Sequence, residues 1–260
     1  MKNTSPSFAP LRRLAACSLL ALFGAACAPG AMAAAPLTPG GLYVGYYQES
    51  ALTNPEDPTP GAFVLRLPEQ DAAFSGAMFF TFVGCQNSNV GAVKGVKAGK
   101  MLSGTWSGTI DNSAQSGAYE GSYDKGSGAY KGRYSNAGGK QFRDIEGCVK
   151  YYIGPDGSWE MFPAEQNQPA NFKLGLAGKQ VSWPAVPNTA MTLVYVIDTA
   201  VALAGTGNPV MLQTILPGAV TRFDLQGARL AKGKEYIVVA LLNTAKAQRA
   251  AFASKRFVAP

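Results

Sequence analysis

No histidine occurs among the 260 residues of the chain. That removes imidazole acid–base catalysis, every Ser-His or Cys-His nucleophile pair, and the commonest transition-metal ligand. Charge is scarce as well: Asp, Glu, Lys and Arg supply 15% of the residues, against 47% hydrophobic and 10% aromatic. A chain so apolar and so weakly charged is not a disordered one. Convincing amphipathic helices are missing, and past the amino terminus no apolar run is long enough to cross a bilayer as a helix. Glycine and proline are abundant instead. Thirty Gly and 17 Pro, spread along the chain, favour short strands and turns. The length suits one to two domains.

Residues 1–33 read as an export signal. Lys2, Arg12 and Arg13 form a positive start, Leu14 to Ala26 an apolar core, and Pro29-Gly30 a break. Ala31-Met32-Ala33 is a small-x-small cleavage site, which puts the mature start near Ala34 and the protein in the periplasm or outside the cell. Lipoprotein processing at Cys27 is the alternative, since Gly24-Ala25-Ala26-Cys27 resembles a lipobox in which Gly24 replaces a branched apolar residue. Cleavage near Ala34 leaves Cys85 and Cys148, which in an exported chain read as one disulfide closing 62 intervening residues. With no C-x-x-C and no histidine, neither a redox motif nor a zinc site can be assembled. No cofactor motif is present.

The remaining charge is unevenly placed. Residues 34–168 carry 10 basic and 13 acidic side chains, residues 169–260 carry 10 and 3. Two electrostatically different halves argue for two domains, 34–164 and 172–260, joined by the polar linker 165–171.

In the first half a pattern Gly-x-aromatic-x-Gly-x-(aromatic or Ile) occurs four times, at Gly41 to Tyr47, Gly104 to Ile110, Gly117 to Tyr123 and Gly128 to Tyr134. Alternate residues of a strand share a face, so all the motif glycines and rings lie on one side. Reading DNSAQS and DKGS as hairpin loops sets Trp106 opposite Gly121, Tyr119 opposite Gly108 and Gly132, and Glu120 opposite Lys131. A ring then covers a glycine on the next strand. Such a face suits a small closed antiparallel barrel of about eight or nine strands. Ala62 to Leu67 reads as an alternating strand and Gly76 to Val83 as a continuous apolar one, either buried on both sides or bulged. Ile145 to Ile153 alternates, and Gly154 to Ser158 reads as a turn before Trp159 to Phe162. Rings that cover glycines are expected to fill the interior.

The second half offers Trp183, then Leu193 to Ile197, Thr221 to Leu225, Leu230 to Ala240 and Phe252 to Val258 as short strands with turns between them. Over roughly 90 residues this order resembles a fibronectin type III domain. Trp183 matches the tryptophan of its second strand, Tyr195 the tyrosine of its third, and Leu230 with Tyr236 its leucine-to-tyrosine corner, with Lys232 where proline is usual. The resemblance implies an immunoglobulin-like sandwich of about seven strands around a Trp/Tyr core.

Few residues point to chemistry. Ser122-Tyr-Asp-Lys125 matches S-x-x-K, but it falls on a strand entering a hairpin and reads as turn chemistry. Lys94, Lys97 and Lys100 among glycines do not meet the phosphate-loop pattern and read as a solvated hairpin. Gly205-Thr-Gly207 and Asp156-Gly157 read as bare turns. Glu49, Glu56, Asp57, Glu69 and Asp71 are the residues from which a paired-carboxylate hydrolase site could be made. Arg229, Lys232, Lys234, Lys246, Arg249, Lys255 and Arg256 are candidate contacts to an anionic partner, whether an envelope polysaccharide, a lipid headgroup or a protein. Nucleic acid is disfavoured because no exposed aromatics interleave with these charges. The chain reads as an exported, non-catalytic binding or adhesion protein of a bacterial envelope. In that reading the barrel recognises a partner and the sandwich serves as spacer or anchor. A carrier of a small apolar ligand, like avidin or lipocalin barrels, is the alternative, and a carboxylate hydrolase the third.

Overall fold

The computed structural model describes residues 39–50, 60–82, 87–110, 113–139, 141–143 and 151–260. Residues 1–33, expected to be an export signal, Cys85 and Cys148, and Glu56 and Asp57 lie outside them. Ten strands come first: β1 Gly41–Glu49, β2 Pro60–Leu67, β3 Ala72–Phe82, β4 Asn87–Ala98, β5 Met101–Ile110, β6 Ser113–Asp124, β7 Ala129–Ser135, β8 Gln141–Arg143, β9 Tyr151–Ile153 and β10 Asp156–Pro163. Strands β1 to β6 each pair with the next, and β10 inserts between β7 and β1 to close an eight-stranded antiparallel barrel. The small β8–β9 hairpin stands apart from it. The residues expected as a turn at Asp156-Gly157 instead open β10, where Gly157 pairs with both Glu49 and Tyr134.

Motif rings and glycines share the inner face, as the period of two requires. The expected register does not hold. Tyr119 faces Gly104 and Tyr134, Trp106 faces Gly117, and Gly121 faces Gly132. Glu120 lies opposite Arg133, while Lys131 pairs with Asp124 and Glu160, each at 3.2 Å. The cause is loop length. Only residues 111–112 separate β5 from β6, because Ser113 to Ser116 join the ladder, and the β6–β7 turn is one residue later than expected. Asp124 fixes that turn by accepting from Gly126 N–H and Ser127 Oγ. These bonds, with Lys131, hold its carboxyl down at about 2. Both slips are even-numbered, so every side chain keeps its face.

The Lys94–Lys100 segment does form a hairpin, yet Lys97 is not solvated. It is 1% exposed, points into the barrel, and donates to the Pro68 and Glu69 carbonyls at 2.9 and 2.8 Å. That cross-link closes the barrel end served by the short β2–β3, β4–β5 and β6–β7 connections. At the same end Tyr130 meets the Tyr43 ring edge to face and the Tyr123 ring at a tilt.

Residues 172–260 add β11 Gly175–Ala177, β12 Gln180–Ser182, β13 Met191–Asp198, helix α1 Thr199–Ala204, β14 Val210–Pro217, β15 Arg222–Asp224, β16 Glu235–Asn243 and β17 Arg249–Val258. They form a three-stranded sheet β11-β12-β15 and a four-stranded sheet β14-β13-β16-β17. Trp183, Val194, Val196, Tyr236 and Val238 belong to the core between the sheets. Tyr236 Oη accepts from Ala231 N–H at 2.8 Å, tying the chain ahead of β16. Helix α1 is the departure from an all-strand reading. Asp198 caps it by accepting from Ala200 and Val201 N–H, and Gly205 ends it at φ 65°.

Tyr195 is not part of the Trp183 core. Strands β13 and β16 are apolar on both faces, and Leu193, Tyr195, Ile237 and Val239 point the other way, onto the barrel. There they share a core with Val44, Val64, Ala77 and Phe79 on the outside of β1 to β3. Hence β2, expected to alternate, is buried on both faces except at Arg66, and β3 is two-faced as expected. Tyr195 Oη and Thr81 Oγ1 lie 2.8 Å apart at 0% exposure. Residues 165–171 are held to the sheet: Gln168 bridges Phe252 through backbone bonds and Glu165 N–H donates to Ser254 Oγ. Ala35–Pro260 forms one compact unit.

Candidate functional site: the barrel chamber

On the inner wall most rings face a glycine. Tyr47 lies opposite Gly61, Phe63 opposite Gly45, Phe74 opposite Gly95, Trp106 opposite Gly117, Tyr134 opposite Gly157 and Trp159 opposite Gly132. The contacts are close enough that glycine is required. A Cβ on Gly132 would overlap the Glu120 carbonyl and come within 2.6 Å of the Trp159 ring. Trp159 is pinned by Nε1 donating to Arg133 O at 3.1 Å, and Trp106 by Nε1 donating to Ser135 O at 3.0 Å.

Rings seated on bare backbone lie against the wall rather than across the axis. The interior is therefore not filled, contrary to expectation. An apolar cavity of about 90 Å³ runs inside the ring of side chains, lined by Phe63, Met78, Trp106, Tyr119 and Trp159 among others. Eight strands give a barrel able to hold one small ligand. The outer face of β5 to β7 is the reverse in character: Ser103, Thr105, Ser107, Glu120, Lys131 and Arg133 are exposed. A transmembrane barrel has the opposite polarity, apolar outside and polar within. No helix among the described residues is long and apolar enough to cross a membrane.

Polar groups enter the chamber at one end, where β1 and β7 finish and β10 starts. Glu49, 6% exposed, accepts from Gly154 N–H at 2.9 Å. Asn136, also 6% exposed, lines the cavity beside it. Burial holds the Tyr134 hydroxyl well above its ordinary value, reinforced by the Glu49 and Asp156 charges. Burial does the same to Tyr47, with Tyr195, Tyr134 and Glu49 adding to it, and to Tyr119. A phenol whose folded value exceeds its unfolded one favours the fold fully below pH ~10, and that stabilisation is lost as pH rises. We expect alkaline titration, followed by phenolate absorbance, to leave these three protonated until the barrel unfolds.

The other candidate residues do not assemble. Glu69 and Asp71 sit at the closed end, where Asp71 accepts from Gly99 N–H, so Glu49 is the sole carboxylate among the described chamber residues. Ser122 is exposed on the outer face of β6, away from the chamber. No three Cys, Asp or Glu side chains among the described residues come together to hold a metal ion. The basic residues of the second half spread over more than one surface. Lys232 and Lys234 precede β16 while Lys246 and Arg249 follow its nine residues, about 30 Å away at strand rise. Three are committed to acids: Lys234 to Asp198, Arg256 to Glu165 and Arg249 to Glu160. Arg249 also lies over the Tyr46 ring, whose hydroxyl donates to Glu160. Arg229, Lys232 and Lys246 are exposed, and Lys255 is half-buried.

Sequence reasoning missed Asn136 and the inward turn of Lys97. Asn136 had a signal, since it continues the inner-face series Tyr130, Gly132, Tyr134. Glu49 likewise continues Tyr43, Gly45, Tyr47. Comparison of the chain with protein-family models, with curated proteins and with solved structures finds no match in any of the three.

Proposed function

We propose that this is an exported, non-catalytic binding protein whose barrel takes up one small apolar ligand, with the sandwich as its structural support. The observation that carries the reading is the ring-lined chamber, walled by apolar side chains and given polar groups at one end, which is the usual anatomy of a small-molecule site. A single carboxylate among the described chamber residues supports binding over paired-carboxylate hydrolysis. Export rests on the features of residues 1–33, with lipid attachment at Cys27 as the alternative anchor. A Cys85–Cys148 disulfide belongs to the same reading of an exported chain. The division into three and four strands and the Tyr236 corner support the fibronectin type III-like resemblance of the sandwich.

Two of the three tryptophans, Trp106 and Trp159, line the chamber and report on it. Titrating the full chain with small cyclic hydrocarbons should change tryptophan emission saturably and release heat with a negative heat-capacity change. A linear, non-saturating response would overturn the reading.

A further inference from the structure

We infer that the cleft where the outer wall of the barrel meets the β16–β17 turn of the sandwich is a second binding site, and that it takes a neutral saccharide. The site lies on the far side of the barrel wall from the chamber and does not depend on it.

Strand alternation builds the barrel side of this cleft. Tyr47, Trp159 and Gly132 belong to the inner-face series, so Tyr46 and Gln48 on β1, Ser158 and Glu160 on β10, and Lys131 on β7 face out. Pairing sets Gln48 beside Ser158, and Tyr46, Glu160 and Lys131 in one row across three strands. Gln248 and Arg249, where the turn enters β17, complete the lining from the sandwich. The space between them is about 350 Å³, inside the range of roughly 300–1,000 Å³ usual for small-molecule sites.

The charges of the cleft are already matched. Glu160 accepts from Tyr46 Oη, and its carboxylate meets Lys131 Nζ at 3.2 Å and Arg249 Nη2 at 3.4 Å. Lys131 also reaches Asp124 at 3.2 Å. Both cations that line the cleft are thus held by carboxylates, and an arriving anion would have to compete with these pairs. The neutral groups are open instead. Arg249 N–H donates to Gln48 Oε1 at 3.4 Å, which leaves Nε2 as the free end of that amide. Gln48 Nε2, Ser158 Oγ and the Gln248 side-chain amide make no hydrogen bond among the described residues. Gln48 Nε2 is accessible, and Ser158 and Gln248 are exposed. Amides and hydroxyls supply donors and acceptors together, and so does every hydroxyl of a sugar. An apolar ligand would strip water from these groups and return no hydrogen bond.

Calorimetry and saturation-transfer NMR on the full chain test the inference, with maltose, cellobiose and N,N′-diacetylchitobiose as neutral probes and glucuronate as the acid. At least one disaccharide should bind saturably with a dissociation constant of about 1 mM. Raising the salt to ~0.5 M NaCl should change that affinity less than about twofold, because the charges of the site are paired with one another. Gln48→Met and Gln248→Leu should each weaken binding about fivefold, the size of one hydrogen bond between neutral groups. Ser107→Ala, on the outer face of β5, should leave it unchanged. Glu160→Gln keeps the shape but frees Arg249, so glucuronate should then bind more tightly than the neutral sugars. No saturable binding of any disaccharide, a preference of the unaltered chain for glucuronate, or sugar affinity undiminished in both glutamine variants would overturn the inference. The chamber reading, tested with hydrocarbons, is untouched by any of these results.

Discussion

Replacing Phe252 by alanine should destabilise the barrel, although Phe252 lies on a strand of the sandwich. The side chain is 0% exposed and packs against Tyr46 of β1 and Phe162 of β10, with ring centres at 5.5 and 5.8 Å. Truncating so large a buried ring costs about 4 kcal/mol. The loss is shared because the four-stranded sheet forms part of both cores, one with the three-stranded sheet and one with the barrel wall. In a Trp183→Phe background only Trp106 and Trp159 remain, so fluorescence follows the barrel alone. The expected outcome is one unfolding transition, shifted to lower denaturant by Phe252→Ala. A barrel transition that ignores the substitution would show two independently stable parts.

A second large effect is expected inside the barrel. Gly132→Ala should cost at least about 3 kcal/mol, because the new methyl collides with backbone carbonyl and with a pinned tryptophan ring, neither free to move aside. Gly108→Ala provides the control. Its Cβ would come no nearer than 3.3 Å to its closest neighbour, the Gly91 Cα, so a small change is expected there. Denaturant unfolding of the pair separates a specific ring seat from a general cost of removing glycine. Similar losses in both variants would argue against the seat.

Much of this architecture was legible because strand faces follow from a period of two. The inward set Tyr119, Gly121, Tyr123 and the outward set Glu120, Ser122 could be assigned without coordinates, and the two-sided burial of β3 showed in its unbroken apolar run. Register was not legible. It depends on whether Ser113 to Ser116 extend a strand or form a loop, and Ser, Ala and Gln are compatible with both. The joining of the two halves was signalled but not recognised: Leu193 to Ile197 and Ile237 to Leu242 are apolar at every position, which requires a partner on each face. The state of the interior lay furthest from the sequence. Counting rings suggests a filled barrel. Only the seating of each ring on a glycine, which draws it to the wall, leaves an axis open. Helix α1 was short enough to escape notice, although Asp198 and Gly205 bracket it with cap residues.

The central claim is an apolar chamber between the side chains inside the barrel, and xenon under pressure tests it most directly, since the gas enters apolar cavities and not filled cores. Crystals of the full chain equilibrated with xenon should show an ordered xenon site between Trp106, Tyr119 and Trp159. A barrel axis occupied by side-chain density, with xenon found elsewhere or not at all, would contradict the account.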